Sequence, residues 1–212
     1  MAMLGISWLF QANALGVTQI DAIFNAVEEK DTQLLASLIN NENVNQRNAK
    51  GDTPLLVSAR NGDLSIMSLL LEQGADINVL DAGQRDILNI AISTNNIKLA
   101  IWALQNNIDA ILRTSVYQGS ALIYGSHQGA VEIVNLLVKA GAPIDRKNNI
   151  GLTALLEAIL LGDGSEPYQE IVRILVNAGA DVSIADKNGV TPLQHAERRG
   201  HEEIAYILLG KL

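Results

Sequence analysis

The chain has no cysteine, which removes disulfides, thiolate metal ligands and cysteine nucleophiles together. It fits a reducing compartment without proving one. Aromatic residues make up 4% of the 212 residues and proline occurs four times. With hydrophobic residues at 48%, the core has to be built from Leu, Ile, Val and Ala, which suits packed helices better than a sheet sandwich. Charged residues amount to 18%, and the formal net charge is −8. That balance excludes a general nucleic-acid binder, which needs a basic surface against phosphates, and disfavours docking on anionic membranes. No apolar run reaches the ~18 residues of a membrane helix.

Residues 1–10 are apolar, and Ala12-Asn13-Ala14 has the small-x-small pattern of a signal-peptidase site. No Lys or Arg precedes Lys30, so the positive leader of a signal peptide is missing. The expectation for 1–18 is a helical hydrophobic extension in which Ile6, Trp8, Leu9 and Phe10 cover an open apolar end of the fold. That reading puts the protein in the cytoplasm. A cleaved signal peptide is the alternative, and would make it periplasmic or secreted.

What is present is repetition. A unit beginning at Gly51 (Gly51-Asp52-Thr53-Pro54-Leu55) returns at Gly189 (Gly189-Val190-Thr191-Pro192-Leu193), with Gly62 matching Gly200 and Ile66 matching Ile204. Weaker copies start at Asp86, Gly119 and Gly151. Taking the Thr-like position as marker gives Thr53, Asp86, Ser120, Thr153 and Thr191, spaced by 33, 34, 33 and 38 residues. The last step is long because 162–169 carries an insertion. Fixed periods of this size mark a stack of supersecondary units.

Each position has a physical reason. Thr53 can accept from a free backbone N–H at a helix start, and Pro54 sits where no N–H is required. Gly62 ends that helix in a left-handed turn. Ile66, Leu69 and Leu70 recur at the spacing of a buried helix face. Gly74-Ala75-Asp76 then starts a loop to the next unit. Asn95 and Asn107 stand at glycine positions, and Asn tolerates the left-handed region well enough to keep the backbone path. Ile87 and Pro143 break the pattern and Gln118 disturbs the glycine before Ser120, so the third and fourth units should be less regular. The first unit reads as two helices, 22–29 and 32–40, with Asn43-Val44-Asn45 as its loop. At the other end Glu202, Glu203 and Lys211 can solvate the last repeat.

These residues resemble the Gly-x-Thr-Pro-Leu, Ala-x-x-Gly and Gly-Ala-Asp signatures of the ankyrin-repeat family, and the long penultimate unit is similar to that of small bacterial members. The resemblance implies an all-α solenoid of paired antiparallel helices with extended hairpin-like loops. It has about six repeats, including a degenerate N-terminal cap and a short C-terminal cap. One domain over 19–212 is expected, with units near 19–50, 51–83, 84–117, 118–150, 151–188 and 189–212. It also implies a groove lined by loop tips and inner helices. Carried over by position, the expected partner-binding residues are Arg60, Arg85, Val116, Tyr117, Ile150, Leu152, Leu160, Leu161, Val190, Arg198 and Arg199.

Apolar side chains there, flanked by Arg60 and Arg85 on one side and Lys187, Arg198 and Arg199 on the other, suit a partner protein with an apolar segment and acidic flanks. The expected protein is thus a monomeric protein-binding module, regulation or inhibition of the partner being an open role. Self-assembly through the groove is a second reading. A small-molecule binder or enzyme using 162–169 is a third, with Glu166 and Tyr168 the residues of interest there. No nucleophile elbow, phosphate loop or dinucleotide fingerprint occurs. His127, His195 and His201 fall in different units without an acid at metal-ligand spacing. No catalytic residue, cofactor or metal is therefore expected.

Overall fold

Each repeat begins with a hydrogen bond that the sequence specifies. The side chains of Thr53, Asp86, Ser120, Thr153 and Thr191 accept from the backbone N–H groups of Leu56, Asn89, Ile123, Leu156 and Gln194. Such a cap is worth about 1 kcal/mol and sets where each inner helix starts. The computed structural model describes residues 18–210, so the expected N-terminal extension and Lys211 lie outside the described residues. All regular structure described is helical, with one isolated antiparallel bridge, Thr114 to Gly119.

The chain divides into two compact units, Met1–Ala82 and Gly83–Leu212. The first holds α1 (Gln19–Glu28), α2 (Thr32–Leu38), α3 (Pro54–Asn61) and α4 (Leu64–Glu72). Helix α1 starts earlier than the sequence suggests, because Thr18 and Asp21 close a reciprocal capping box. It packs on α2 and α3, and α3 on α4. Ile23, Leu35, Leu55, Leu56, Ile66 and Leu70 are fully buried between them, each worth about 1.5–3 kcal/mol.

The second unit holds α5 (Ile87–Ser93), α6 (Ile97–Gln105), α7 (Ala121–His127), α8 (Val131–Lys139), α9 (Ala154–Leu160), α10 (Glu166–Asn177), α11 (Pro192–Arg199) and α12 (Glu202–Leu208). Helices α5, α7, α9 and α11 pack neighbour to neighbour as an inner row, and α6, α8, α10 and α12 as an outer row. The expected irregularity of the third and fourth repeats is absorbed by the backbone. Asn95 and Asn107 do adopt left-handed φ values of 48° and 62°. Two residues before each of these five caps the chain is left-handed. Glycine takes that place at Gly51, Gly151 and Gly189, and glutamine at Gln84 and Gln118 (φ 58° and 54°). The two glutamines hydrogen-bond to each other at 3.3 Å. Gln118 therefore does not shift the turn; it occupies the glycine position at a strain of about 1 kcal/mol.

The two irregular spacings have separate homes. In regular repeats the loop tip closes over five residues, as from the Asn148 N–H to the Leu152 carbonyl and from the Asp186 N–H to the Val190 carbonyl. In the fourth repeat it closes from Thr114 to Gly119, so the added residue of the 34-residue step lies in the tip. The 38-residue step lengthens a helix. The inserted residues 162–169 run into the first turn of α10, which reaches 12 residues. Tyr168 Oη donates to the His127 carbonyl at 3.1 Å, and Arg199 Nη2 donates to the Gly162 carbonyl at 3.1 Å. These contacts brace the insertion on both neighbouring repeats.

Candidate functional site

Three inner helices of the second unit present the side chain four residues after the cap to the loop tips: Tyr124, Glu157 and His195. The tips carry a polar residue five before the cap that organises the turn. Asn148 Oδ1 accepts from the Ile150 and Leu152 N–H groups at 3.2 and 2.9 Å, and Asp186 Oδ1 accepts from Asn188 and Val190 at 2.8 and 3.0 Å. The other end of each turn residue reaches the inner helix. Asn148 Nδ2 donates to Glu157 Oε1 at 2.8 Å, and Asp186 Oδ2 lies 3.0 Å from His195 Nε2. The Val190 backbone N–H, then the Asn188 N–H and the His195 ring, hold Asp186 below the ordinary carboxylate value against its burial.

The longer fourth tip is tied to the tips on either side. Ser115 N–H donates to the Gln84 carbonyl at 2.7 Å, Asn149 N–H to the Tyr117 carbonyl at 2.9 Å, and Asn149 Nδ2 to the Val116 carbonyl at 3.1 Å. Lys187 Nζ continues the line to the Asn149 carbonyl at 2.7 Å. The backbone is held while its side chains are not: Val116 is 70% exposed and Tyr117 57%. Beside them lies a cavity of about 510 Å³ whose lining includes Arg85, Tyr124, His127, Ile150, Glu157 and Leu161.

Of the residues singled out from sequence, Arg85, Val116, Tyr117, Ile150 and Leu161 thus come together around one cavity. Leu152 does not belong with them as an exposed apolar group. The tip turns between them at Gly151, whose φ is 86°, and Leu152 is buried while Ile150 is 43% exposed. Leu160 and Val190 are half-buried, and Arg198 and Arg199 are exposed; none of the four is in the lining. The insertion 162–169 contributes nothing to the lining either. Sequence reading overlooked Tyr124, Asn148 and Glu157. The available signal was a lone acid in the otherwise apolar helix Ala154–Leu160. His127 has no acid at metal-ligand spacing in the sequence, and the fold brings its Nδ1 to 3.3 Å from Glu157 Oε2. His201 leaves its buried Nδ1 without a hydrogen-bond partner.

Arg60 belongs to the first unit, and its charge is matched there. Its guanidinium contacts both oxygens of Asp52 at 2.8 and 2.9 Å and Asp81 Oδ2 at 3.0 Å. Burial alone would lower the Arg60 pKa; the two carboxylates more than offset it, and the net direction is up. The expected positive edge is not an open one at this residue. Arg60→Ala should leave two nearly buried carboxylates without their cation and lower unfolding free energy by about 2 kcal/mol or more, read by urea denaturation. An unchanged midpoint would contradict this structural role.

Among the described residues no group of three or more His, Cys, Asp or Glu is placed to hold a metal ion, and no helix is long and apolar enough to cross a membrane.

The family profile "Ankyrin repeats (3 copies)" matches residues 23–114, 98–186 and 122–212. The chain belongs to the ankyrin-repeat family. Ankyrin repeats are in general protein–protein interaction modules, typically scaffolds without enzymatic activity. The ankyrin repeat protein YahD of Escherichia coli K12 is 31% identical over 169 residues, covering 78% of this chain and 83% of that one. A match to the palmitoyltransferase AKR1 of Lachancea kluyveri is 35% identical but spans only 49% of this chain and 14% of that protein. A solved ankyrin repeat domain from Acinetobacter baumannii AYE superposes with a TM-score of 0.81 at 38% identity, covering 89% of this chain and 96% of its own. The ankyrin repeat protein EF0377 gives 0.80 at 31% identity, covering 90% and 97%.

Proposed function

We propose that this chain, acting as a monomer, binds a protein partner on the loop-tip face of the unit Gly83–Leu212, with an apolar segment of that partner seated around Val116, Tyr117, Ile150 and Leu161. The observation that carries this reading is the longer fourth tip. It holds two large apolar side chains out in water while hydrogen bonds to both flanking tips fix its backbone. A patch that is both apolar and pre-ordered loses little entropy on binding. Aromatic anchors of the Tyr117 kind commonly dominate such interfaces. The exposed Arg198 on α11 supports an acidic flank on the partner segment. Arg60 is withdrawn from that role because Asp52 and Asp81 already match it.

The test is Val116→Asp combined with Tyr117→Ala, two exposed positions that leave the core intact. A partner recovered by affinity purification should lose about a hundredfold or more in affinity for this variant, measured by calorimetry. Equal affinity for both forms would overturn the proposal. Light scattering over a concentration series should give a constant monomer mass.

A further inference from the structure

We infer that the cavity beside the fourth loop tip is a seat for one basic side chain, arginine or lysine, of the bound partner. This rests on the reading of the surrounding face as the partner-binding one.

The argument begins with Glu157. At the same register position the other repeats carry Val57, Ile90, Tyr124 and His195, so the helix does not require an acid there. Its side chain is only 6% exposed, yet it lines a cavity. The two backbone N–H groups on Asn148 Oδ1 decide which end of that amide is Nδ2, so Glu157 Oε1 accepts. Among the described residues the other hydrogen-bond partner is the His127 ring, and an ionised carboxylate can accept about four bonds. Burial drives the Glu157 carboxyl above its ordinary value against the pull of His127 and Asn148. Its charge is thus only partly compensated.

The walls complete the chemistry. Tyr117 and Tyr124 supply aromatic faces, and Ile150 and Leu161 supply apolar surface. Tyr124 is stacked on His127, with ring centroids 6.5 Å apart and planes 15° from parallel. An aliphatic stem ending in a cation suits this lining, the stem lying on apolar surface and the head meeting rings and carboxylate. A purely apolar side chain would seal Glu157 from water with nothing in return, and an acidic one would add a like charge. Arg85, the cation of the lining, is exposed and already engaged in an interaction of its own.

The experiment selects random dodecapeptides displayed on phage against the whole chain, then measures the synthetic peptides by calorimetry. The expected peptides share one Arg or Lys position. Replacing that residue by norleucine should weaken binding to the wild type by about tenfold or more, and by much less to Glu157→Gln. Ile150→Lys places a cation at the exposed rim and should remove the same preference, which covers the case of a poorly folded Glu157→Gln. Peptides without a basic position, or a norleucine penalty that survives in both variants, would overturn the basic seat. The binding face would still stand if Val116→Asp with Tyr117→Ala abolishes that binding. Peptides indifferent to the double variant, or no peptides at all, would count against the face itself and the seat with it.

Discussion

Asp86→Asn should raise stability at pH 7.5 and leave it nearly unchanged below pH 4. Asp86 caps α5, and burial first of all, with Asp109 adding like charge, pushes its carboxyl up to about 6 from 3.8. Between those values the folded protein keeps a proton that the unfolded chain has lost. Stability from this group is therefore full below about pH 4 and declines as pH rises through 6. The interval corresponds to roughly 3 kcal/mol. Asn caps a helix about as well as Asp, and Asn89 Oδ1 still accepts from the residue 86 N–H in the capping box. The variant removes the buried charge and keeps the cap. Melting temperatures of both forms from pH 3.5 to 8 should diverge as pH rises. A gap that does not depend on pH would show that the carboxylate is not the cause.

Gly162→Ala should cost about 3 kcal/mol, at the upper end of what overpacking does. A Cβ at this position would lie 2.2 Å from the Ala158 carbonyl oxygen and 2.5 Å from the Tyr168 ring. The first is backbone at the end of α9 and cannot swing aside. The second belongs to the side chain that fastens α10 to the His127 carbonyl. The substitution therefore forces either the end of α9 or the start of α10 out of place. Thermal unfolding should show the loss, and hydrogen exchange should show it first in 162–169. Normal stability would mean that the insertion has room the contacts do not show.

The helix pairs were legible because backbone requirements impose them locally: a cap acceptor, a left-handed turn, an apolar stripe. Asn95 and Asn107 could be assigned in the same way. The site was legible only where residues sit at loop tips. Leu152 was misplaced beside Ile150 because the tip turns at Gly151 between them, and no motif reports which of the two side chains is turned in. Glu157 was missed because attention fell on the end of the inner helix. Residues one turn earlier share the same face. His127 and Asn148 then reach it across a repeat boundary and a loop, at separations set by stacking alone.

The two length changes in this chain also say how such a protein can vary. One residue was added at a loop tip and several at a helix start, and in both cases the next cap still begins its helix in the same way. A one-residue slip in a sheet would turn every later side chain to the wrong side, and in a coiled coil an insertion disturbs the winding around it. Here an insertion or deletion is contained within the repeat that suffers it. Binding surfaces on this scaffold can therefore diverge by changing length as readily as by substitution, one repeat at a time.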